Sequence, residues 1–366
     1  MYRTVLSLCI LGALVACGSS APPPAVEPAA VGAGQSEGSA DSAAENPYLS
    51  REGEAPLPIK VATCVVSGSY VHLYNALESN LFAKYGLAVE HAFIGGTAAS
   101  LAALASNDVQ FLYCGVDGTL PGMAVGKQGK IVATTLLGLP YVLITRAEVR
   151  SVMDLKGRSV GVARVGDLPD RLLRILLERH GLVPNEDVMI RPIGGSTPER
   201  HLAMLSDVIQ GHLATAPFDV MARKEGHNVV YRLSDLGLPS VGASVHANNA
   251  VLRDNPRLVQ RFVAAMAESV QRTEEDPAAA RQALRRTLDL EDVDALDAVY
   301  DEVNRRSNRS LAIPTDQLRA LIEDARAEGT PVEIGGPEDI ATNAFVEDLQ
   351  RTGFLDRLWD GKPRAQ

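Results

Sequence analysis

The chain has 366 residues, 46% of them hydrophobic and 22% charged, and its 45 acidic side chains outnumber 35 basic ones for a formal net charge of −10. That length carries one large or two medium domains with a real core. The acidic balance argues against nucleic-acid binding, and 1 Trp with 9 Tyr supplies no stacking platform for bases.

Residues 1–17 read MYRTVLSLCILGALVAC. One Arg3 precedes an apolar run over residues 5–16, too short for a comfortable bilayer span and closed by small residues, the layout of a secretory signal. Leu14-Val15-Ala16-Cys17 resembles the lipobox of bacterial lipoproteins, which implies removal of residues 1–16, acylation of Cys17 and a membrane anchor. An ordinary signal peptide with an incidental cysteine is the plainer alternative. Residues 17–57 are rich in Ala, Pro, Gly and Ser and bury too little apolar surface to offset their ordering entropy, so they read as a flexible spacer. No other apolar run is long enough to cross a membrane.

The body alternates strand and helix. Residues 59–66 are β-branched and end at Ser67-Gly68-Ser69, and apolar Tyr70, Leu73, Tyr74, Leu77, Leu81 and Tyr85 then recur at helical spacing up to Gly86. A strand over 87–94 ends at Gly95-Gly96, with Thr97 as the N-cap of a helix through Ala105. A third strand over 109–113 ends at Cys114-Gly115. Residues 159–163 form the next strand, and Asp167 caps a helix carrying Leu172, Ile175 and Leu176. A strand over 188–190 leads through Gly194-Gly195-Ser196 to an N-cap at Thr197 with Pro198 behind it. A strand over 213–216, a helix opened by Pro217 and a strand over 229–233 follow. Beyond residue 250 the pattern is helical, over 258–271, 277–288, 293–304 and 315–328.

Alternating strands and helices imply parallel sheets, which bind ligands at the carboxyl ends of their strands. No phosphate-binding loop, His-Glu-x-x-His, Cys-x-x-Cys or Gly-x-Ser-x-Gly occurs, and the seven His lack metal-ligand spacing. No catalytic residue, metal or cofactor is expected.

Several stretches carry a family resemblance: residues 79–90 (SNLFAKYGLAVE), 102–111 (AALASNDVQF), 152–162 (VMDLKGRSVGV), Ala216-Pro217-Phe218-Asp219 through Gly226, and Asn255-Pro256. In order and spacing they resemble the substrate-binding proteins of bacterial ABC importers, of the nitrate, sulfonate and thiamine-precursor group, over about residues 58–290. Gln110 stands where that group usually has Asp. The resemblance implies an α/β type II periplasmic-binding-protein fold with mainly parallel sheets. One lobe would hold residues 58–145 plus 243–366 and the other 150–240, joined by crossings near 143–150 and 240–244. It also implies a monomer outside the cytoplasm that hands a small molecule to an ABC permease and its ATPase, with no nucleic-acid partner and no chemistry of its own. A ligand-sensing or interaction lipoprotein, or a thiamine-pyrimidine synthase of the same fold, are the alternatives.

On that fold the strand-end corners are the candidate ligand contacts. In the first lobe these are Ser67, Gly68, Ser69 and Tyr70, then Gly96, Thr97 and Ala98, then Gly115, Val116 and Asp117. In the second they are Arg164, Val165 and Gly166, then Ser196 and Thr197, then Pro217 and Phe218. Helix N-termini meeting at such corners offer free amides to an anionic or strongly polar guest. Arg164 could hold a carboxylate or sulfonate in bidentate fashion, or be a solvated loop charge or a salt-bridge partner of Asp167. Arg200 and His201 read as surface residues. Cys64 and Cys114 lie near the ends of neighbouring strands and form either a disulfide or two buried thiols.

Overall fold

A computed structural model describes residues 46–126, 128–194 and 197–360. The leader, Cys17, the spacer up to residue 45, and Ser196 lie outside the described residues. The first lobe is built from β1 (Leu57–Thr63), α1 (Val71–Glu78), α2 (Leu81–Lys84), β2 (Leu87–Phe93), α3 (Thr97–Ala105), β3 (Phe111–Gly115), α4 (Val116–Val125) and β4 (Gly129–Thr134). The second holds β5 (Val142–Thr145), β6 (Arg158–Val162), α5 (Leu168–Arg179), β7 (Val188–Pro192), α6 (Thr197–Leu205), β8 (Gly211–Ala214), α7 (Phe218–Lys224) and β9 (Asn228–Arg232). The chain returns through β10 (Ala243–Asn248) and continues as α8 (Asn249–Asp254), α9 (Pro256–Glu275), α10 (Pro277–Leu288), α11 (Val293–Arg306), α12 (Thr315–Ala327), α13 (Pro337–Ile340), α14 (Ala344–Arg351) and α15 (Phe354–Leu358).

Two five-stranded sheets result, ordered β2-β1-β3-β10-β4 and β7-β6-β8-β5-β9. They are mixed rather than mainly parallel. β1 runs parallel to β2 and β3, and β6 to β7 and β8, but β10 and β5 are antiparallel to both of their neighbours. The reason is topological: β5 and β10 each arrive directly from the other sheet, so they enter from the end where the parallel strands stop.

This pairing also moves the expected lobe boundary. Val142–Thr145 bonds to β8 and β9 of the second sheet, with Val142 opposite Ala214 and Thr145 opposite Gly211. The first crossing therefore spans residues 135–141, ahead of the expected 143–150, and the second spans 237–242.

Sequence periodicity misses β4, β5 and β10 because they have no solvent face to alternate against. All six residues of β10 are buried, Ser244, His246 and Asn248 included. The His246 ring sits 3.2 Å from the Leu112 carbonyl and 3.1 Å from Thr119 Oγ1, so both of its nitrogens have partners.

The same device opens β3 and β8. Asn107 and Asp207 take left-handed φ values of 65° and 61°, which suits their short polar side chains. Gln110 Oε1 then accepts from the Lys60 amide of β1 at 2.9 Å, and Gln210 Oε1 from the Ser159 amide of β6 at 3.0 Å. Each Gln extends a parallel ladder by one bond beyond its own strand. Asn80 is left-handed as well (φ 52°), and it breaks the single helix expected after Tyr70 into α1 and α2.

Phe82, Phe111 and Phe262 stack through the first lobe's core, with centroids 5.2 and 4.2 Å apart. The second sheet packs Leu172, Leu173 and Leu176 of α5 on one face and Met204 and Ala222 on the other. The expected spacer does not reach residue 57. Tyr48 is buried with its hydroxyl 2.8 Å from Asp348 Oδ2, and the Glu54 carboxylate takes two bonds of 2.7 and 2.6 Å from buried Arg261.

Candidate functional site

The corners of the first lobe converge. The Thr63–Tyr113 register of β1 and β3 brings the two following residues side by side, and Cys64 and Cys114 are joined as a disulfide with Cα atoms 5.7 Å apart. Tyr70 lies on that bridge, its hydroxyl 3.2 Å from Cys64 Sγ and its ring 5.1 Å from that of Tyr113. Burial drives its phenol well above the ordinary range, so Tyr70 is core packing rather than an open ligand platform. Ser67 Oγ accepts from the Ser69 amide at 3.2 Å. A Cβ on Gly68 would collide with Val299 of α11.

Gly96 (φ 92°), not Thr97, caps α3, because the chain needs a positive φ there to turn from strand to helix. Thr97 is the first helical residue, and its Cγ2 lies 3.4 Å from where a Cβ on Gly118 would sit. Neither α3 nor α4, which begins after Gly115, has a side-chain cap. The uncapped start of α3, where an anion is favoured, therefore lies against the first turn of α4.

Asp117 faces elsewhere. Its carboxylate accepts from the Val241 and Gly242 amides at 3.3 and 3.0 Å and so anchors the second crossing, while burial raises its pKa above the usual carboxylate value. The neighbouring Val116 amide donates to the Gly242 carbonyl at 2.9 Å.

The second lobe differs from expectation in its physics. The Arg164 side chain is exposed, and its amide donates to Asp167 Oδ2 at 3.0 Å. The Gly166 and Asp170 amides donate to Asp170 Oδ2 and Asp167 Oδ1 at 2.7 and 2.9 Å. This corner's amides are thus occupied by the protein's own carboxylates and do not wait for a guest. Thr197 starts α6, and its Oγ1 accepts from Arg200 Nη2 at 3.1 Å. Arg200 and His201 are buried, not surface residues, at 5% and 4% exposure. Pro217 is buried, and Phe218 packs in the core 5.6 Å from the His201 ring.

Residues outside the expected set complete the region. Tyr141, on the first crossing, has Asp167, Arg200, Asp117 and Arg306 as charged neighbours, and burial pushes its hydroxyl up to about 12. Arg171 of α5 reaches across to the first lobe: Nη2 donates to the Asp117 carbonyl at 3.1 Å, and Nη1 is 3.9 Å from Glu328. On the opposite flank Lys224 pairs with Asp292 and Asp294 at 2.7 and 2.8 Å. Arg306 donates to the Leu137 and Gly138 carbonyls at 2.7 and 2.5 Å. Nothing in the strand–helix periodicity marks these long-range contacts; only Arg171, one turn beyond Asp167, lay within sequence reach. Among the described residues, no three His, Cys, Asp or Glu are grouped to hold a metal ion, and no helix is long and apolar enough to cross a membrane.

A family model described as NMT1/THI5 like matches residues 68–280. A candidate binding protein of Brucella abortus (strain 2308) is 28% identical over 195 residues, 53% of this chain and 60% of its own length. The chain thus spans about three fifths of the length of the curated relatives it matches. Among solved structures, the periplasmic sulfonate-binding protein SsuA from Methylobacillus flagellatus KT superposes with a TM-score of 0.64 at 18% identity, over 86% of this chain and 99% of that one. The periplasmic aliphatic sulphonate binding protein SsuA from Escherichia coli gives 0.62 at 16%, over 77% and 91%. Such identities speak for the fold alone, which is that of periplasmic binding proteins. With the family model covering more than half its residues, the chain belongs to the NMT1/THI5-like family.

Proposed function

We propose that the protein is an extracytoplasmic solute-binding lipoprotein that captures a small anionic or strongly polar molecule between its lobes and passes it to an ABC importer. No bond is made or broken; the work is capture by closure, then docking and release. A ligand touching both lobes binds the closed arrangement better and so draws the equilibrium toward it. The observation that carries this reading is the uncapped N-terminus of α3 at Thr97, packed against Gly118 of α4, next to Arg171, which reaches from the second lobe to the Asp117 carbonyl. Arg200 and the Tyr141 hydroxyl add a cation and a donor from the other side. The sulfonate-binding names of the structural neighbours support an acid group on the guest, and acylated Cys17 would hold the body at a membrane.

Native mass spectrometry of protein purified without refolding tests this, followed by calorimetric titration with methanesulfonate, nitrate, acetate and an aminopyrimidine. The expected result is a co-purified small molecule or saturable binding of one probe, weakened about tenfold or more by Arg200→Met, since a charged hydrogen bond is lost. No adduct and no binding of any probe would overturn the proposal.

A further inference from the structure

Two adjoining cavities lie where the second lobe meets α11, on the flank of the gap. One measures about 180 Å3 and the other about 470 Å3, and Arg232, Glu302 and Arg305 line both. Among the described residues, none of the corner positions of the candidate cleft lines either. The smaller cavity presents three guanidinium groups, of Arg223, Arg232 and Arg305, and three carboxylates, of Asp219, Asp301 and Glu302. Its charge is therefore balanced, which suits neither a simple anion nor a simple cation.

The pairing inside it is incomplete in two specific places. Arg223 reaches Asp219 Oδ2 at 3.4 Å and Arg305 reaches Glu302 at 2.7 Å. Asp219 is only 8% exposed, and its other oxygen, Oδ1, is buried with no hydrogen-bond partner. A buried carboxylate oxygen left so is costly until a donor arrives. Arg232 is exposed at the mouth of both cavities and makes no ion pair among the described residues. A buried acceptor without a donor and an exposed guanidinium without an acid thus line one open cavity.

We infer that this seam is a second small-molecule site, for a zwitterion that carries an ammonium and a carboxylate. Asp219 Oδ1 receives the ammonium and Arg232 the carboxylate, in the bidentate manner guanidinium favours. Asp219 and Arg232 both belong to the second lobe, and Glu302 and Arg305 of α11 form the facing wall. The site is independent of whatever occupies the main cleft.

Isothermal titration of the full chain with glycine, L-alanine and γ-aminobutyrate tests the inference, with N,N,N-trimethylglycine as a control that has the charges but no N–H donor. At least one of the three should bind saturably and the control should not. Asp219→Asn and Arg232→Met should each weaken that binding about tenfold or more, while circular dichroism shows both variants folded. Thr97→Val, in the main cleft, should leave it intact. Absence of binding at about 10 mM for all three zwitterions, or affinity unchanged in both variants, overturns the inference. So does loss in Thr97→Val alone, which would put the molecule in the cleft.

Discussion

His72, His212 and His246 have essentially no exposed surface. Burial pushes their pKa values down to about 3, 3 and 4. Each is therefore neutral in the fold but titrates near 6.5 in the unfolded chain. The stabilisation is complete above that value and is lost as pH falls below it, because only the unfolded chain then takes up protons. The loss is about 1.4 kcal/mol per pH unit for each ring, or roughly 4 kcal/mol per unit for all three. Asp117, with a raised pKa, works in the opposite sense at the acid end. Urea midpoints at pH 7, 6 and 5 should fall steeply in that order, and a flat profile would refute the assignment. At this scale the sequence named strand-end residues, and the structure gives several of them other partners or other burial than expected. Arg164 looked like the anion reader and is solvated, whereas Arg200, taken for a surface residue, is buried beside Tyr141. Helical periodicity assigns a face to a residue but not what packs over that face.

Among the elements, the segment around Tyr48 and Glu54 departs most from its composition. Ala, Pro and Gly suggest a spacer throughout, yet two anchors suffice to dock its end: Tyr48 edge-on to Phe354 at 5.3 Å, and Glu54 on Arg261. The Arg261 guanidinium holds the Glu54 carboxyl down at about 2, so the contact persists through ordinary acid conditions. Glu54→Gln should loosen the segment and speed tryptic cleavage after exposed Arg51, followed by mass spectrometry. Cleavage at the wild-type rate would show that the ion pair does not hold the segment. Strands with one wet face, such as β2, were legible from alternation. The enclosed β5 and β10 were not, since burial on both faces erases the period that reveals a strand.

For the whole molecule, Arg171 is the side chain that tests closure. Arg171→Ala removes a guanidinium that spans from α5 to the Asp117 carbonyl and toward Glu328. The joined arrangement should lose population, raising the radius of gyration of the unliganded protein in small-angle scattering and weakening ligand binding about three- to tenfold. An unchanged scattering curve together with unchanged affinity would assign Arg171 no part in closure. By itself the sequence determined the α/β class and the alternating strands and helices of the body, because turns, caps and periodicity are written in neighbouring residues. Only the tertiary structure decided that the sheets are mixed, that β5 belongs to the second sheet, that Asp117 serves the crossing while Arg171 bonds its carbonyl, and that Arg200 is buried. Those outcomes depend on groups far apart in the chain competing for the same buried hydrogen bonds, and no local pattern records which of them wins.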